Sequence, residues 1–499
     1  MRSRLAALVQ QFIPTGSVRK RTVRSGMWSS AINISSRVLQ ILMLIILARL
    51  LEPRDFGLLG IALVTLTAVQ QFSKIGLNAA LIQKVEKNVD AYLDTTWCLE
   101  AGRGIVIVIV LVLSAPLIGQ FFNEPAATPL IQAIAIGPLL LGLQNPGIVY
   151  FRKDLEFHKE FLYYVSGGLA QFVVGVGYAL VSPTVWALIF AFIAGDACRF
   201  LLSYLIHPYR PRPRFNRSHA MELIHYGKWI TAGSIIYFLY RQGDDAFVGW
   251  YLSATSLGFY QYAYQIADTP STEVAEIISK VSFPAYSQLQ TNQAQLQEAI
   301  LATTRVTAFV TMPMAMGIAL VAPSFVPVVL GPDWSPMILT MQLLALYGLC
   351  HAITRNFGSI WKAIDRPDLI AKMGAIRVTC IAIFIWPATA QWGIEGTALV
   401  VVGVFLVPMV PLDTYLVSRT TGLTQRAIYR EWVYPLTAAG SMFITVWYGF
   451  SMLGLSPLFE LLLVIPSGVA VYLFVSLVLN RAFEWEIDDN LRTIVGELR

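Results

Sequence analysis

Cationic side chains recur within long apolar stretches of this 499-residue sequence. A charge at the centre of a bilayer costs about 2.5–3.5 kcal/mol on insertion scales, so such a cation usually faces a water-filled cavity or a partner. Arginine presents a planar fork to phosphate oxygens, and lysine presents a point charge. These residue types therefore predict a path for an anionic headgroup such as a pyrophosphate. The candidate cations of this path are Arg37, Lys74, Arg241, Arg305 and Arg355.

Ion pairing is the alternative explanation for the same cations. Arg241 precedes Asp244 and Asp245 by three and four residues, the spacing at which side chains meet on one face of a helix. The other four cations have no acid at that spacing, so each would need a carboxylate from another apolar stretch. The acids available for this role are Asp268, Glu273, Glu276 and Asp413.

Acidic residues in the apolar stretches also predict ion coupling. A transporter driven by an ion gradient needs a buried acid that binds a proton or Na⁺. Asp268 lies two residues before Pro270, and a broken helix exposes carbonyl oxygens that can coordinate an ion. A role as counter-ions for the arginines stays open for the same acids. The candidates for H⁺ or Na⁺ coupling are Asp244, Asp245, Asp268 and Glu273.

The composition indicates what kind of scaffold holds these charges. The chain is 56% hydrophobic and only 13% charged, whereas soluble proteins carry roughly 25% charged residues. Its apolar runs are near 20 residues long, enough for a helix to cross the roughly 30 Å hydrocarbon core. They are too long, and alternate too little, for the strands of an outer-membrane barrel. We therefore expect an all-α, polytopic membrane protein with about 14 transmembrane helices.

The loop charges test this number of spans and predict the topology. Of the 36 lysines and arginines, 25 lie in the loops on the side of the N-terminus, and one, Arg54, lies on the other side. Because cytoplasmic loops carry the excess of Lys and Arg, both termini are expected in the cytoplasm. The predicted spans are residues 27–50, 56–80, 97–121, 128–150, 161–181, 184–206, 228–251, 257–279, 299–321, 338–361, 370–390, 393–417, 432–453 and 458–479.

A repeat divides these spans into two halves. The segment LEPRDFG at residues 51–57 has the same layout as LSATSLG at residues 252–258, 201 residues later. An even number of spans per half predicts a parallel repeat. The Pro-rich, basic segment 207–214 is expected to be an extended linker rather than a helix. The predicted domains are a basic tail (1–26), a six-helix bundle (27–206), a linker (207–227), a second six-helix bundle (228–417), two additional helices (432–479) and a C-terminal tail (480–499).

Sequence motifs of several enzyme classes are missing from the chain. It has no Walker A motif, no HExxH and no Cys/His metal pattern, so we expect no catalytic residue, no metal and no cofactor beyond a coupling H⁺ or Na⁺. The basic character is typical of cytoplasmic loops in a membrane protein and does not indicate nucleic acid. The sequence therefore favours a transporter over an enzyme.

Four segments resemble a known family. They are ARLLEPRDFG (48–57), GLNAALIQ (76–83), YFRKDLEF (150–157) and VVLGPDW (328–334). They are similar to the polysaccharide transporters of the multidrug/oligosaccharidyl-lipid/polysaccharide exporter superfamily, of the type that exports lipopolysaccharide, colanic-acid or teichuronic-acid units. The resemblance implies two six-helix bundles in a V plus two C-terminal helices. It also implies alternating access, with ion-gradient coupling in at least some members.

The expected function is that of a flippase in the cell membrane. It would move a polyprenyl-pyrophosphate-linked oligosaccharide, a repeat unit of a lipopolysaccharide or exopolysaccharide, from the inner to the outer leaflet. A polysaccharide polymerase and a chain-length regulator are expected partners. One alternative is a cation-coupled drug or metabolite exporter of the same superfamily, which would need a more acidic path. The other is a membrane glycan polymerase or ligase, against which the short outer loops argue.

Overall fold

The computed structural model describes residues 18–73 and 90–483, with side chains at 28–73, 90–221 and 238–481. All regular secondary structure in these ranges is helical. The helices before the predicted linker are α1 (Val18–Leu50), α2 (Pro53–Phe72), α3 (Asp90–Phe121), α4 (Ala127–Ile134), α5 (Ile136–Gly142), a 3₁₀ turn (Pro146–Ile148), α6 (Val149–Lys153), α7 (Phe157–Val181) and α8 (Trp186–Ile206). The helices that follow are α9 (Arg217–Tyr251), α10 (Ala254–Leu289), α11 (Gln293–Phe325), a π turn (Val326–Leu330), a 3₁₀ turn (Pro332–Met337), α12 (Ile338–Ala363), α13 (Asp368–Val404), a second π turn (Phe405–Met409), α14 (Val410–Thr421), α15 (Gln425–Leu453) and α16 (Pro457–Phe483).

The helices confirm the predicted all-α, polytopic membrane fold. In the described ranges, ten helical segments are long and apolar enough to cross a membrane, and the bent pair Ala127–Gly142 and Pro146–Lys153 makes an eleventh. The 35-residue α9 and the 36-residue α10 are also long enough to cross, although they carry more polar residues. The segment Asp368–Thr421 has 54 residues, which is about 80 Å of helix and therefore enough for two crossings. These segments correspond to the 14 predicted spans.

The break inside Asp368–Thr421 has a local cause. At Gly393 the backbone turns to a φ of +57°, which glycine adopts without the steric cost that a Cβ would add. Trp392 beside it is also non-helical, with a φ of −127°. The helix ladder is therefore interrupted at this point, between the two predicted spans.

Large apolar side chains face outward along the helices. Leu113 and Leu117 on α3 and Phe474 on α16 are 67–71% exposed. In water such surfaces would drive aggregation, whereas lipid tails solvate them without cost. Buried positions between helices, in contrast, hold many small residues, which let helix backbones approach closely.

The chain divides into two compact units, Met1–Gly258 and Phe259–Arg499. The first unit includes α9 because that helix packs against α2. The division therefore falls after the repeated motif, and the predicted bundle limits at the linker stay a prediction.

The two copies of the repeated motif meet within the first unit. A Cβ on Gly57 would overlap the carbonyl oxygen of Ala254, and a Cβ on Gly258 would overlap that of Pro53. Pro53 and Ala254 are 201 residues apart, as are the two glycines, so the contact is reciprocal, as expected for related halves. Only glycine permits this close approach of the two backbones.

Residues 207–216, between α8 and α9, are non-helical, as predicted for 207–214, and side chains elsewhere in the first unit hold them in place. The predicted linker limit of 227 was wrong, because α9 already begins at Arg217, where the Asn216 side chain caps it. The Asn145 side chain donates to the carbonyl oxygens of His207 (3.2 Å) and Tyr209 (2.7 Å). The Asp94 carboxylate accepts from the Tyr209 hydroxyl and the Arg212 amide, both at 2.8 Å. Burial lowers the pKa of His207, whose Nδ1 accepts from the Tyr209 amide at 3.2 Å. Burial and the Asp94 carboxylate raise the pKa of Tyr209.

Candidate functional site

The predicted cations of the first unit lie on different helices. Arg37 is on α1, has an exposed side chain and donates to the Gln40 side chain at 3.2 Å. Arg241 is half-buried on α9, and Asp244 and Asp245 follow it one turn later on the same helix. Asp244 is buried, whereas Asp245 is half-buried. The remaining candidate, Lys74, lies outside the described residues.

Arg305 forms a two-point ion pair in the second unit. From α11 its Nε donates to Glu431 Oε2 at 2.6 Å, and a terminal nitrogen donates to Oε1 at 3.4 Å. The two side chains are only 14% and 9% exposed. Glu431 was not among the four acids available as partners in the sequence prediction, which therefore missed this pair. The reason is that α15 begins at Gln425, which places Glu431 nearly two turns inside a helix.

Arg355 is also paired, with one of the acids proposed for this role. Its guanidinium, on α12, lies 2.8 Å from the Glu276 carboxylate on α10. Glu276 accepts a second cation, Lys280, one turn later at 2.9 Å. These side chains are about one-third exposed or more, so water can reach the cluster. For Arg305 and Arg355 the geometry favours the ion-pair explanation, and an anionic ligand would have to compete with a carboxylate.

The predicted coupling residue Asp268 is buried on α10 and faces a histidine. Its Oδ1 lies 3.2 Å from Nδ1 of His351 on α12, which is also buried. The His351 ring stacks on Tyr347 at 5.3 Å and meets the edge of Phe405 at 5.9 Å. Glu273 lies on the same helix, half-buried, just over one turn after Asp268.

Our sequence reasoning did not single out His351. A signal was present, since His351 is the histidine that falls well inside a predicted span, 338–361. A titratable residue in that position is costly unless a neighbour stabilises it. Searching for span acids that could partner it would have included Asp268.

An apolar cavity of about 430 Å³ opens in the second unit. None of the described residues that line it is charged, and α10, α11, α15 and α16 supply most of them. Tyr472 on α16 closes one side and uses its hydroxyl to donate to the Phe309 carbonyl at 2.7 Å, so its ring faces an apolar space. A cavity of this kind can hold a hydrocarbon chain but offers nothing to a charged group.

Comparison with known proteins identifies relatives of this chain. Residues 46–339 match the family model described as polysaccharide biosynthesis protein. The lipopolysaccharide biosynthesis protein WzxC of Escherichia coli K12 is 29% identical over 363 residues, covering 72% of this chain and 74% of that protein. The teichuronic acid biosynthesis protein TuaB of Bacillus subtilis 168 is 21% identical over 470 residues, covering 92% and 95%.

Solved structures share the fold at low sequence identity. The lipid II flippase MurJ in an inward closed conformation superposes with a TM-score of 0.74 at 15% identity, covering 91% of this chain and 98% of that chain. An inward-facing multidrug resistance MATE transporter of the MOP superfamily superposes with a TM-score of 0.60 at 12% identity, covering 78% and 96%. At these identities the likeness concerns the fold alone.

Proposed function

Because the chain belongs to the family of polysaccharide biosynthesis proteins, we propose that it is a flippase for a lipid-pyrophosphate-linked oligosaccharide. It moves this repeat unit of a polysaccharide or lipopolysaccharide from the inner to the outer leaflet by alternating access. The observation that carries the proposal is the family match over residues 46–339, more than half of the chain. The membrane-spanning helices and the flippase-like fold support the same activity.

The proposed substrate has two chemically different parts, and the chain offers features suited to each. The apolar cavity of the second unit suits a polyprenyl chain, because burying apolar surface gains roughly 25 cal/mol per Å². The pyrophosphate requires cations, for which we keep the five predicted side chains. Arg305 and Arg355 would exchange a carboxylate oxygen for a phosphate oxygen, so their ion pairs would open when substrate binds.

Topology, driving force and partners form the finer part of the proposal. We infer that both termini are cytoplasmic, which is supported by the excess of cations in one set of loops. An H⁺ or Na⁺ gradient drives the cycle through one or more of the span acids Asp244, Asp245, Asp268 and Glu273. A polysaccharide polymerase and a chain-length regulator act on the exported unit.

The leaflet position of the lipid-linked precursor tests the function directly. In cells depleted of this protein, an impermeant glycan-cleaving enzyme should fail to reach the precursor, and the wild-type chain should restore access. If the precursor is outside in both cases but stays unpolymerised, the protein is a polymerase or ligase instead. If the precursor is reached normally and polymerised, but a drug accumulates in the depleted cells, the exporter alternative replaces the flippase.

A further inference from the structure

We propose that the Asp268–His351 pair is a proton-binding site of the second unit. It joins α10, a 36-residue helix long enough to cross a membrane, to α12, which lies in a candidate membrane span. The inference rests on the proposed flippase function, to which it adds the identity of the coupling ion and the position of its site.

The geometry defines where the proton goes. With Asp268 ionised, Nδ1 of His351 must carry a hydrogen to donate to Oδ1 at 3.2 Å. A neutral imidazole that donates through Nδ1 gains its second proton at Nε2. Uptake of one proton from water therefore turns a neutral imidazole beside a carboxylate into an imidazolium–carboxylate pair. The net charge of the pair changes from −1 to 0, and no bond between heavy atoms forms or breaks.

The chemistry of the partner separates this pair from other acids in the described spans. Glu431 pairs with Arg305, and Glu276 pairs with Arg355. A guanidinium stays protonated in proteins, so it holds its carboxylate ionised and leaves nothing to titrate. An imidazole is the side chain whose charge changes near neutral pH. Na⁺ would prefer an all-oxygen shell, as hard cations do, so the imidazole nitrogen favours a proton.

Protonation of His351 would act on the neighbouring elements through charge. Phe405, in the π turn after α13, meets the His351 ring on its edge, and the Arg377 guanidinium lies 3.9 Å from the Phe405 ring centroid. Arg377 interacts in turn with the buried carboxylate of Asp413 on α14. A proton on the imidazole therefore places a second cation near the Phe405 ring, which Arg377 already contacts. Other titratable or charged groups on the surrounding helices include Tyr264, Glu273 and Glu276 on α10, Arg305 on α11, and Tyr347, Cys350 and Arg355 on α12.

The site can also act on helix packing. A Cβ at Gly348 on α12 would lie 3.1 Å from the Ala267 carbonyl oxygen and 3.2 Å from the Asp268 Cα, so the two helices cross closely one turn before His351. Ile266 and Pro270 line the apolar cavity, and helical geometry places them on the face of α10 opposite Asp268. The same helix therefore carries the proton site on one face and part of the cavity wall on the other.

The first test measures proton binding without any substrate. The full-length protein, labelled with ¹⁵N-histidine and held in lipid nanodiscs, is titrated from about pH 5 to about pH 9 by NMR. One imidazole signal should titrate in wild type and be lost in His351→Gln, whereas His158→Gln, a change on α7 in the first unit, should leave it in place. If the His351 signal does not change across this range, the pair takes up no proton and the inference is overturned, whatever the flipping assay shows.

The second test asks whether that proton drives translocation. Liposomes containing the protein carry a lipid-linked oligosaccharide probe, and the ratio of its flipping rates with and without a pH gradient is measured. In His351→Gln and in Asp268→Asn we expect this ratio of flipping rates to be at least tenfold smaller than in wild type and to approach one, which means that the gradient no longer speeds flipping. In His158→Gln the ratio should stay at the wild-type value. The double exchange Asp268→His with His351→Asp should recover part of the response, because it restores a titratable pair across the same helices.

The outcomes separate the two proposals. A wild-type ratio in His351→Gln would place the coupling proton elsewhere and overturn the inference while leaving the flippase intact. If wild type moves no probe in either condition, the proposed function fails, and the NMR titration alone then decides whether the pair binds a proton.

Discussion

Removing the charge of Glu431 measures how strongly the buried ion pair with Arg305 stabilises the second unit. In Glu431→Gln the guanidinium of Arg305, 14% exposed, loses the carboxylate that it contacts at 2.6 Å. Breaking a buried pair from one side costs about 3–5 kcal/mol, because the remaining charge has lost the partner that compensated its desolvation. The Arg54–Glu124 pair provides a matched control, since it has a similar distance of 2.8 Å but an arginine that is 56% exposed. Glu124→Gln should cost at most about 1 kcal/mol.

The assay is equilibrium unfolding of the full-length protein in mixed micelles, followed by tryptophan fluorescence. The free energy of unfolding should fall at least about 2 kcal/mol further in Glu431→Gln than in Glu124→Gln. Replacing both Arg305 and Glu431 by Met should recover most of the loss, because two apolar side chains leave no buried charge. Equal losses in the two Glu→Gln variants would refute the reasoning. In that case Arg305 is held too weakly to be structural, and its assignment to the substrate path gains weight.

Three further predictions concern the repeat contact and the linker. Gly258→Ala should destabilise the protein by about 1–3 kcal/mol, because the added Cβ would overlap a backbone carbonyl of α2. Gly243→Ala, at a position in open space on α9, should cause no such loss, and thermal unfolding of both variants tests the difference. Asp94→Ala should raise the rate of trypsin cleavage within the arginine-rich linker several-fold, because two hydrogen bonds of about 1 kcal/mol each are lost. Unchanged cleavage would show that other contacts hold the linker in place. Burial lowers the pKa of His207, so the neutral imidazole stabilises the fold when the pH is above the ordinary histidine pKa of about 6.5. This contribution is lost as the pH falls through the lowered pKa. Amide exchange at Tyr209, corrected for its intrinsic rate, should therefore quicken at acidic pH in wild type, and His207→Gln should abolish that dependence.

The ion pairs change what a mutational study of the substrate path can conclude. Loss of flipping in an alanine variant of Arg305 or Arg355 would arise from a lost phosphate contact or from an unpaired Glu431 or Glu276. Removing the arginine together with its acid, which leaves the net charge unchanged, separates the two causes. In a double variant that removes both arginine and acid, stability returns but a missing phosphate contact does not.

The number of spans and the helical class followed from the sequence alone. Both depend on local properties, namely the length of each apolar run and the position of the charges between runs. The same holds for the extended linker, where proline removes the amide that a helix would need. The repeat at residues 51–57 and 252–258 was also readable, because its spacing is a property of the chain.

The partners of the buried charges were decided by the tertiary structure. Sequence spacing reveals an ion pair only when both residues lie on one helix, three or four positions apart. Arg355 and Glu276 are 79 residues apart, Asp268 and His351 are 83, and Arg305 and Glu431 are 126. Several acids could have reached each arginine, and which of them pairs with it depends on which helices pack together and at which level along their axes. The proton site proposed here therefore became visible only when α10 and α12 were brought into contact.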